Sequence, residues 1–167
     1  MKIILSLTCL FICISSCTQS REEINAEFSE IAQKIKNDQN HAYFRTFIPT
    51  KEDCRAVFES DSIADQVYEY CVKKFGDINL LPDDRMKPFS MDDEIVILYA
   101  SKEELLNNTT NGLNDNYLNY AHLLKDEVTL YGFFYVNKKG QEKRIKTGFF
   151  KLSDKWIFIP SLWMAFY

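Results

Sequence analysis

Histidine and glycine are scarce in this chain of 167 residues, which has two histidines and five glycines. The sequence contains no His-Glu-x-x-His motif, no glycine-rich phosphate loop and no Gly-x-Gly-x-x-Gly motif, the patterns that mark zinc and nucleotide sites. Neither His41 nor His122 belongs to a motif for a metal site or a nucleophile. We therefore expect no metal, no cofactor and no catalytic residues, and the protein is predicted not to be an enzyme.

Positive charge is also in short supply, because 20 lysines and arginines stand against 24 aspartates and glutamates. The cations are scattered except at the two ends of a predicted hairpin, which carry Lys138, Lys139, Lys143 and Arg144. A nucleic-acid-binding protein usually presents a basic face or stripe. The charge balance therefore excludes nucleic acid as the expected partner.

A hydrophobic run long enough to span a bilayer is missing. The apolar run from Ile3 to Ile14 is shorter than a spanning helix needs and is typical of a secretory signal. It ends in Ile14-Ser15-Ser16-Cys17, which resembles the bacterial lipobox, where the cysteine thiol takes the lipid. We predict a signal peptide over residues 1–16 and lipid attachment at Cys17. The alternatives are an ordinary signal peptide cut nearby, with Cys17 left as a free thiol, and an uncleaved hydrophobic anchor.

The lipidated end is expected to lie close to the folded domain. Ser20 and Glu23 form the pattern of a capping box, so residues 17–21 are assigned to the lipidated N-terminus and a short tether. At about 3.5 Å per extended residue, this tether allows roughly 10 Å of slack. We expect the protein to be lipid-anchored in the bacterial cell envelope, at the outer membrane, with the side of the membrane left open.

The four residues Ser20 to Glu23 also resemble the signal that follows the lipidated cysteine in surface-exposed lipoproteins of Bacteroidota. Acidic residues that favour a helix N-terminus explain the same segment equally well.

Three helices are predicted in the first half of the mature chain. Apolar residues at steps of four, three and four predict a helix over 22–37 whose buried positions are Ile24, Phe28, Ile31 and Ile35. Two further helices, over about 51–58 and 62–75, would carry Cys54 and Cys71 on their inner faces. In an oxidising envelope these cysteines are candidates for a disulfide, and two free buried thiols are the alternative.

The second half is predicted to be mainly β-structure. A strand over 94–100 precedes a brief helix that Ser101 and Glu104 would cap. An antiparallel meander follows over 127–136, 142–152 and 155–160, while residues 117–124 fit neither pattern. The sequence thus predicts one α+β domain over residues 22–167, with N-terminal helices packed on a curved antiparallel sheet.

The first strand of the meander is apolar on both faces. Tyr131, Phe133 and Tyr135 point to one side, and the other side carries Val128, Leu130, Phe134 and Val136. An antiparallel sheet usually leaves one face polar unless something covers it. We expect the helices to cover the aliphatic face, which leaves the aromatic face to the tail 162–167, a ligand, another subunit or another protein.

The final hairpin carries a resemblance to a known family. Its sequence, Lys146 to Phe158, reads hydrophobic-Lys-hydrophobic, a short turn and then Lys155-Trp156. Together with the order of helices and strands, this is similar to the NTF2-like (cystatin-like cone) lipoproteins of Bacteroidota. The resemblance implies a cone whose mouth can hold an apolar ligand. Trp156 is accordingly grouped with Tyr131, Phe133 and Tyr135 as the expected ligand or partner face.

Three functions are compatible with these patterns. The first is a membrane-tethered, non-enzymatic binding module for an apolar small molecule or an envelope protein. The second is an immunity-type or accessory lipoprotein that blocks an envelope protein. The third is a small cone-type enzyme of the isomerase or dehydratase kind, which the missing acid–base residues disfavour.

Overall fold

The computed structural model describes residues 19–76, 87–144 and 148–167. The predicted signal peptide, the lipobox-like segment and Cys17 lie outside the described residues, as do residues 77–86 and 145–147. Within the described residues the chain forms helices and an open antiparallel sheet of five strands. The predicted α+β class is confirmed.

Helix α1 spans Arg21–Asn37, and both hydrogen bonds of the predicted capping box are present between Ser20 and Glu23. Arg21, which the sequence assigned to the tether, is therefore the first residue of the helix. The buried stripe of α1 includes Phe28, Ile31 and Ile35, as the spacing predicts. The periodicity therefore identified the inner face of this helix correctly.

Two helices that pack on each other follow α1. Helix α2 spans Lys51–Val57 and starts at a second capping box, made by Thr50 and Asp53. Helix α3 spans Asp61–Gly76 and buries Ala64, Val67, Cys71 and Phe75. A 3-10 helix, Phe44–Phe47, lies between α1 and α2 and buries two phenylalanines.

The sheet is a meander in which β2 is the central strand. Strand β1 spans Glu94–Ser101 and pairs along its whole length with β2, Thr129–Val136. The other edge of β2 pairs with β3, Glu142–Arg144, and with β4, Phe149–Lys151. Strand β5, Trp156–Phe158, then pairs with β4. The predicted second strand of the meander is thus two short strands.

Gly148 allows β4 and β5 to meet closely at the start of β4. Its φ is +139°, and a Cβ atom there would lie 2.2 Å from the Ile159 carbonyl oxygen. The Gly148 N–H donates to Tyr131 O, and its carbonyl accepts from Ile159 N. A residue with a side chain would have to break this arrangement, because 2.2 Å is well inside contact distance.

Helix α1 covers the aromatic face of the sheet, so the expectation that the helices take the aliphatic face is wrong. The Phe28 ring lies 4.8–6.2 Å, centroid to centroid, from the rings of Tyr131, Phe133, Phe149 and Trp156. Strand pairing adds Phe149, Trp156 and Phe158 to the face that carries Tyr131. Helix α1 therefore buries its apolar stripe against this combined aromatic face.

The apolar tail packs elsewhere. Its 3-10 helix, Leu162–Phe166, places Trp163 against Tyr117 and Phe166 against Tyr120, with ring centroids 5.5 and 5.1 Å apart. Both tyrosines belong to a 3-10 helix, Asp115–Leu123, which includes most of the segment that fitted neither pattern. The short helix α4, Lys102–Leu106, starts at the predicted Ser101–Glu104 capping box.

Candidate functional site

The four aromatic side chains predicted to form a ligand or partner face are in the core. Tyr131, Phe133, Tyr135 and Trp156 are 2%, 1%, 0% and 5% exposed. Burial raises the pKa of both Tyr131 and Tyr135 above the ordinary value for tyrosine. Tyr131, Phe133 and Trp156 pack against Phe28 of α1, and Tyr135 packs against Phe133. Their surfaces are therefore not open to a partner.

A carboxylate cluster lies at the edge of this core. The Glu27 carboxylate accepts hydrogen bonds from Lys151 Nζ at 2.8 and 3.0 Å and from Trp156 Nε1 at 2.8 Å. Gln19 donates a further, longer bond of 3.3 Å. Burial acts to raise the pKa of Glu27, but the bonds from Lys151 and Trp156 outweigh it and hold the pKa below its ordinary value. Glu27 is thus held as an anion by the last hairpin.

A shallow pocket of about 290 Å³ opens beside this cluster, and we call it the Tyr43 pocket. Ile31, Phe47 and Trp156 supply its apolar floor, and each is at most 6% exposed. Its remaining lining residues are polar, charged or phenolic: Glu27, Glu30, Lys34, Tyr43, Thr46, Asp154 and Lys155. The pocket therefore combines a buried apolar base with a charged rim.

Two charges of this rim are already used within the protein. Lys155 Nζ lies 2.8 Å from the buried Asp53 carboxylate, and Glu27 is paired with Lys151. The Lys34 ammonium lies 5.8 Å from the centre of the Tyr43 ring, a cation–π contact. Burial, with the nearby carboxylates of Glu27 and Glu30, raises the pKa of Tyr43. The phenol is therefore protonated at neutral pH.

Two carboxylates of the rim, Glu30 and Asp154, make no ion pair within the described residues. Lys34 makes none there either. After the internal pairs are set aside, the rim holds two carboxylates and one ammonium. The Tyr43 pocket thus has a net negative charge available to a ligand.

A second surface pocket, of about 240 Å³, lies at the tip of the β2–β3 hairpin, and we call it the hairpin pocket. It adjoins the C-terminal end of α1, where the buried Lys36 ammonium donates to Asp93 O at 2.6 Å. The Asp93 carboxylate accepts the backbone N–H groups of Phe89 and Ser90. Phe89 is 56% exposed, and Lys143 lies over its ring. Asp93 therefore fixes the turn that presents Phe89.

Cys54 and Cys71 are free thiols with no exposed surface. This is the second of the two alternatives that the sequence left open. Burial raises the pKa of Cys54 to about 12 and that of Cys71 still higher. The thiolate is the nucleophilic form of cysteine, and a raised pKa keeps the thiol protonated. Both side chains are therefore unreactive in the folded protein.

The described residues contain neither a cluster suited to a metal ion nor a helix suited to crossing a membrane. No group of three or more His, Cys, Asp or Glu side chains suited to a metal ion occurs among the described residues. Across those residues there is also no helix with the length and hydrophobicity to cross a membrane. His41 is buried with a positive φ of 58°, whereas His122 is exposed on the 3-10 helix Asp115–Leu123.

Sequence reasoning missed the Tyr43 pocket. Glu27 and its partners Lys151 and Trp156 are 124 and 129 residues apart in the chain, and no local pattern connects them. The one available signal was Lys151 and Trp156 themselves, which belong to the hairpin that carries the family resemblance. The strand pattern of the hairpin places both side chains on the same face as Tyr131. The hairpin sequence does not show which helix packs on that face.

Comparisons with known proteins add no relative. A scan of protein-family models, a search of curated proteins and a search of solved structures each return no match for this chain. The α+β class therefore rests on the described elements themselves, and the NTF2-like resemblance stays a prediction.

Proposed function

We propose that the protein is a lipid-anchored, non-enzymatic binding module of the bacterial cell envelope whose ligand is a protein partner. The packing of Tyr131 and Phe133 against Phe28, with Tyr135 buried against Phe133, carries this proposal. These side chains would have to line a cone that holds an apolar small molecule, and instead they fill the space between α1 and the sheet. The groups available for binding then lie on the surface, in the Tyr43 pocket and the hairpin pocket.

The anchoring part of the proposal is supported by the sequence before α1. Ile14-Ser15-Ser16-Cys17 has the order of residues that a lipobox needs, and α1 begins four residues after Cys17. Several acyl chains on one cysteine hold a protein on its membrane, because each buried methylene contributes about 0.8 kcal/mol. We propose the outer membrane as the site of anchoring.

The finer fold is part of the same proposal. The order of three helices, of 17, 7 and 16 residues, followed by an antiparallel meander resembles that of the NTF2-like lipoproteins, and the hairpin ending in Lys155-Trp156 adds a sequence likeness. This supports an NTF2-like variant in which the mouth of the cone is filled by aromatic side chains.

The geometry of the Tyr43 pocket argues against a cone-type enzyme. Tyr43 does lie near the carboxylates of Glu27 and Glu30, as a tyrosine–carboxylate catalytic pair requires. However, Glu27 already accepts bonds from Lys151 and Trp156, and its lowered pKa makes it a weak base. The pocket is also shallow, so it excludes little water from a reacting group.

The anchoring is tested by replacing Cys17 with alanine in the native host. Membrane fractionation and intact mass of the purified chain are measured for both proteins. We expect the wild-type chain in the membrane fraction, starting at Cys17 and carrying lipid mass. The Cys17→Ala chain is expected in the soluble fraction or unprocessed. Cys13→Ala, a change inside the predicted signal peptide, is the matched control and should leave the mature mass unchanged.

The binding part is tested by cross-linking intact cells that express the wild-type or the Cys17→Ala chain. A defined protein adduct that forms with the anchored chain and is absent from cells lacking the protein supports the proposal. If the Cys17→Ala chain stays in the membrane with an unchanged mature mass, the lipid anchor is wrong. If the anchored chain instead retains a small apolar molecule in native mass spectra, the choice of a protein ligand is wrong.

A further inference from the structure

Building on the proposed binding function, we infer that the Tyr43 pocket takes a cationic side chain, a lysine or arginine, from the protein partner. The volume of about 290 Å³ is at the lower limit of the roughly 300–1,000 Å³ range of ligand pockets. A single long side chain matches this size better than a cofactor-sized molecule does. The chemistry of the pocket then decides which side chain fits.

The floor of the pocket suits the aliphatic stem of such a side chain. Ile31, Phe47 and Trp156 are held in place by the core and present only small apolar surfaces. The Trp156 indole is further fixed by its bond to Glu27 and by its stacking on Phe28. Lysine and arginine bury their methylene stems on surfaces of this kind while the charged group stays near water.

The rim of the pocket selects a positive charge. Glu30 and Asp154 face the pocket without an ion pair among the described residues, while Glu27 and Lys155 are already paired. The Tyr43 ring adds a face that a cation can approach, and Lys34 now lies over that face at 5.8 Å. An incoming ammonium or guanidinium would therefore compete with Lys34 for Tyr43 and would pair with Glu30 and Asp154.

Lys34 makes the inference testable, because it separates a cationic ligand from an anionic one. If the ligand is a cation, Lys34 repels it, and removal of the ammonium strengthens binding. If the ligand is a carboxylate or phosphate, Lys34 attracts it, and the same removal weakens binding. The two hypotheses thus predict opposite signs for one substitution.

The experiment uses the lipidated full chain in detergent micelles, with both tryptophan indoles labelled with ¹⁵N. Trp156 lines the pocket, whereas Trp163 packs against Tyr117 in the tail and is the internal reference. The probes are Nα-acetyl-lysine methylamide, the norleucine analogue that has a similar apolar stem without the charge, and the glutamate analogue. Titrations at low and high salt give the affinity from the Trp156 Nε1–H shift.

We expect the lysine probe to shift Trp156 and leave Trp163 in place, with weaker binding at high salt because exposed charges are screened. Lys34→Met should tighten binding about threefold. The double change Glu30→Gln with Asp154→Asn should weaken it about tenfold, because each exposed pair contributes only modestly. Glu69→Gln, on the exposed side of α3, is the matched control and should change nothing.

Equal binding of the norleucine probe, or weaker lysine binding in Lys34→Met, would overturn the inference. A shift with the glutamate probe alone would assign the pocket to anions and would overturn it as well. These outcomes are separate from the cross-linking and fractionation of the anchored chain. An adduct that persists in the Glu30→Gln, Asp154→Asn chain would leave the proposed function standing and place the contact outside the Tyr43 pocket.

Discussion

The inner side of α1 and the side that faces the Tyr43 pocket differ in burial and in ion pairing. Phe28, Ala32 and Ile35 on the inner side are at most 1% exposed and are fixed by packing. Glu27, Glu30 and Lys34 face the Tyr43 pocket, and only Glu27 has an ion-pair partner in the described structure. The difference indicates that stability depends on the inner side, while charges that remain available for a ligand lie on the other.

The largest effect is expected from Phe28→Ala. The Phe28 ring is fully buried and contacts four other aromatic rings. Truncation of such a ring removes buried apolar area and leaves a cavity, which costs about 3–5 kcal/mol. Urea denaturation of the wild type and the variant measures this loss directly.

The control for Phe28 is Phe89→Ala, because Phe89 is 56% exposed. We expect the free energy of unfolding of the Phe89→Ala protein to stay within about 0.5 kcal/mol of that of the wild type. Equal losses in the two variants would contradict the packing of α1 on the aromatic face.

A smaller, pH-dependent effect is expected from Glu27→Gln. The bonds from Lys151 and Trp156 hold the pKa of Glu27 below its ordinary value of 4.5. The ionised carboxylate therefore stabilises the fold above pH 4.5, and this contribution is lost as the pH falls through the lowered folded pKa. At pH 7 we expect Glu27→Gln to cost about 1 kcal/mol, since the cluster is partly exposed.

Urea midpoints for Glu27→Gln are compared with the wild type from pH 7 down to pH 3. The gap between the two proteins should narrow as the pH falls. Glu69→Gln should follow the wild type at pH 7, because Glu69 is exposed and without an ion pair in the residues described. A gap that widens in acid would contradict the assigned sign of the Glu27 shift.

The smallest effect is expected from Glu30→Gln, measured as stability. Glu30 is exposed and makes no ion pair within the described residues. The free energy of unfolding of the Glu30→Gln protein should therefore differ from that of the wild type by less than about 0.5 kcal/mol. Together with weaker binding of the lysine probe, this would show that the pocket-facing side acts on the ligand and not on the fold. A loss above 1 kcal/mol would instead make Glu30 a structural residue.

Local patterns in the sequence predicted the helices and their starts well. Ser20 and Ser101 each cap a helix as expected, because a capping box involves only residues three apart. The buried stripe of α1 followed from its spacing for the same reason. The first strand of the sheet was also correct within one residue, since β1 ends at Ser101 where the pattern predicted Ala100.

Long-range packing was not predictable in the same way. Alternation in β2 separated its aromatic and aliphatic sides, but it did not show that Phe149, Trp156 and Phe158 join the aromatic side. Helix α1 then packs on this combined face through Phe28, which is far from Tyr131 and Trp156 in the chain, and alternation within one strand cannot show such a contact. The Glu27–Lys151–Trp156 cluster was missed for the same reason.

The position of α1 next to the proposed anchor limits where a partner can be met. Glu30 lies nine residues after the first residue of a helix with a rise of about 1.5 Å per residue, and the tether adds roughly 10 Å. In the proposed arrangement, the Tyr43 pocket stays within roughly 25 Å of the lipidated sulfur. It would therefore sample only a thin layer of the envelope next to the bilayer. The basic side chain that it binds would have to lie in that layer, on a juxtamembrane segment or on another anchored protein.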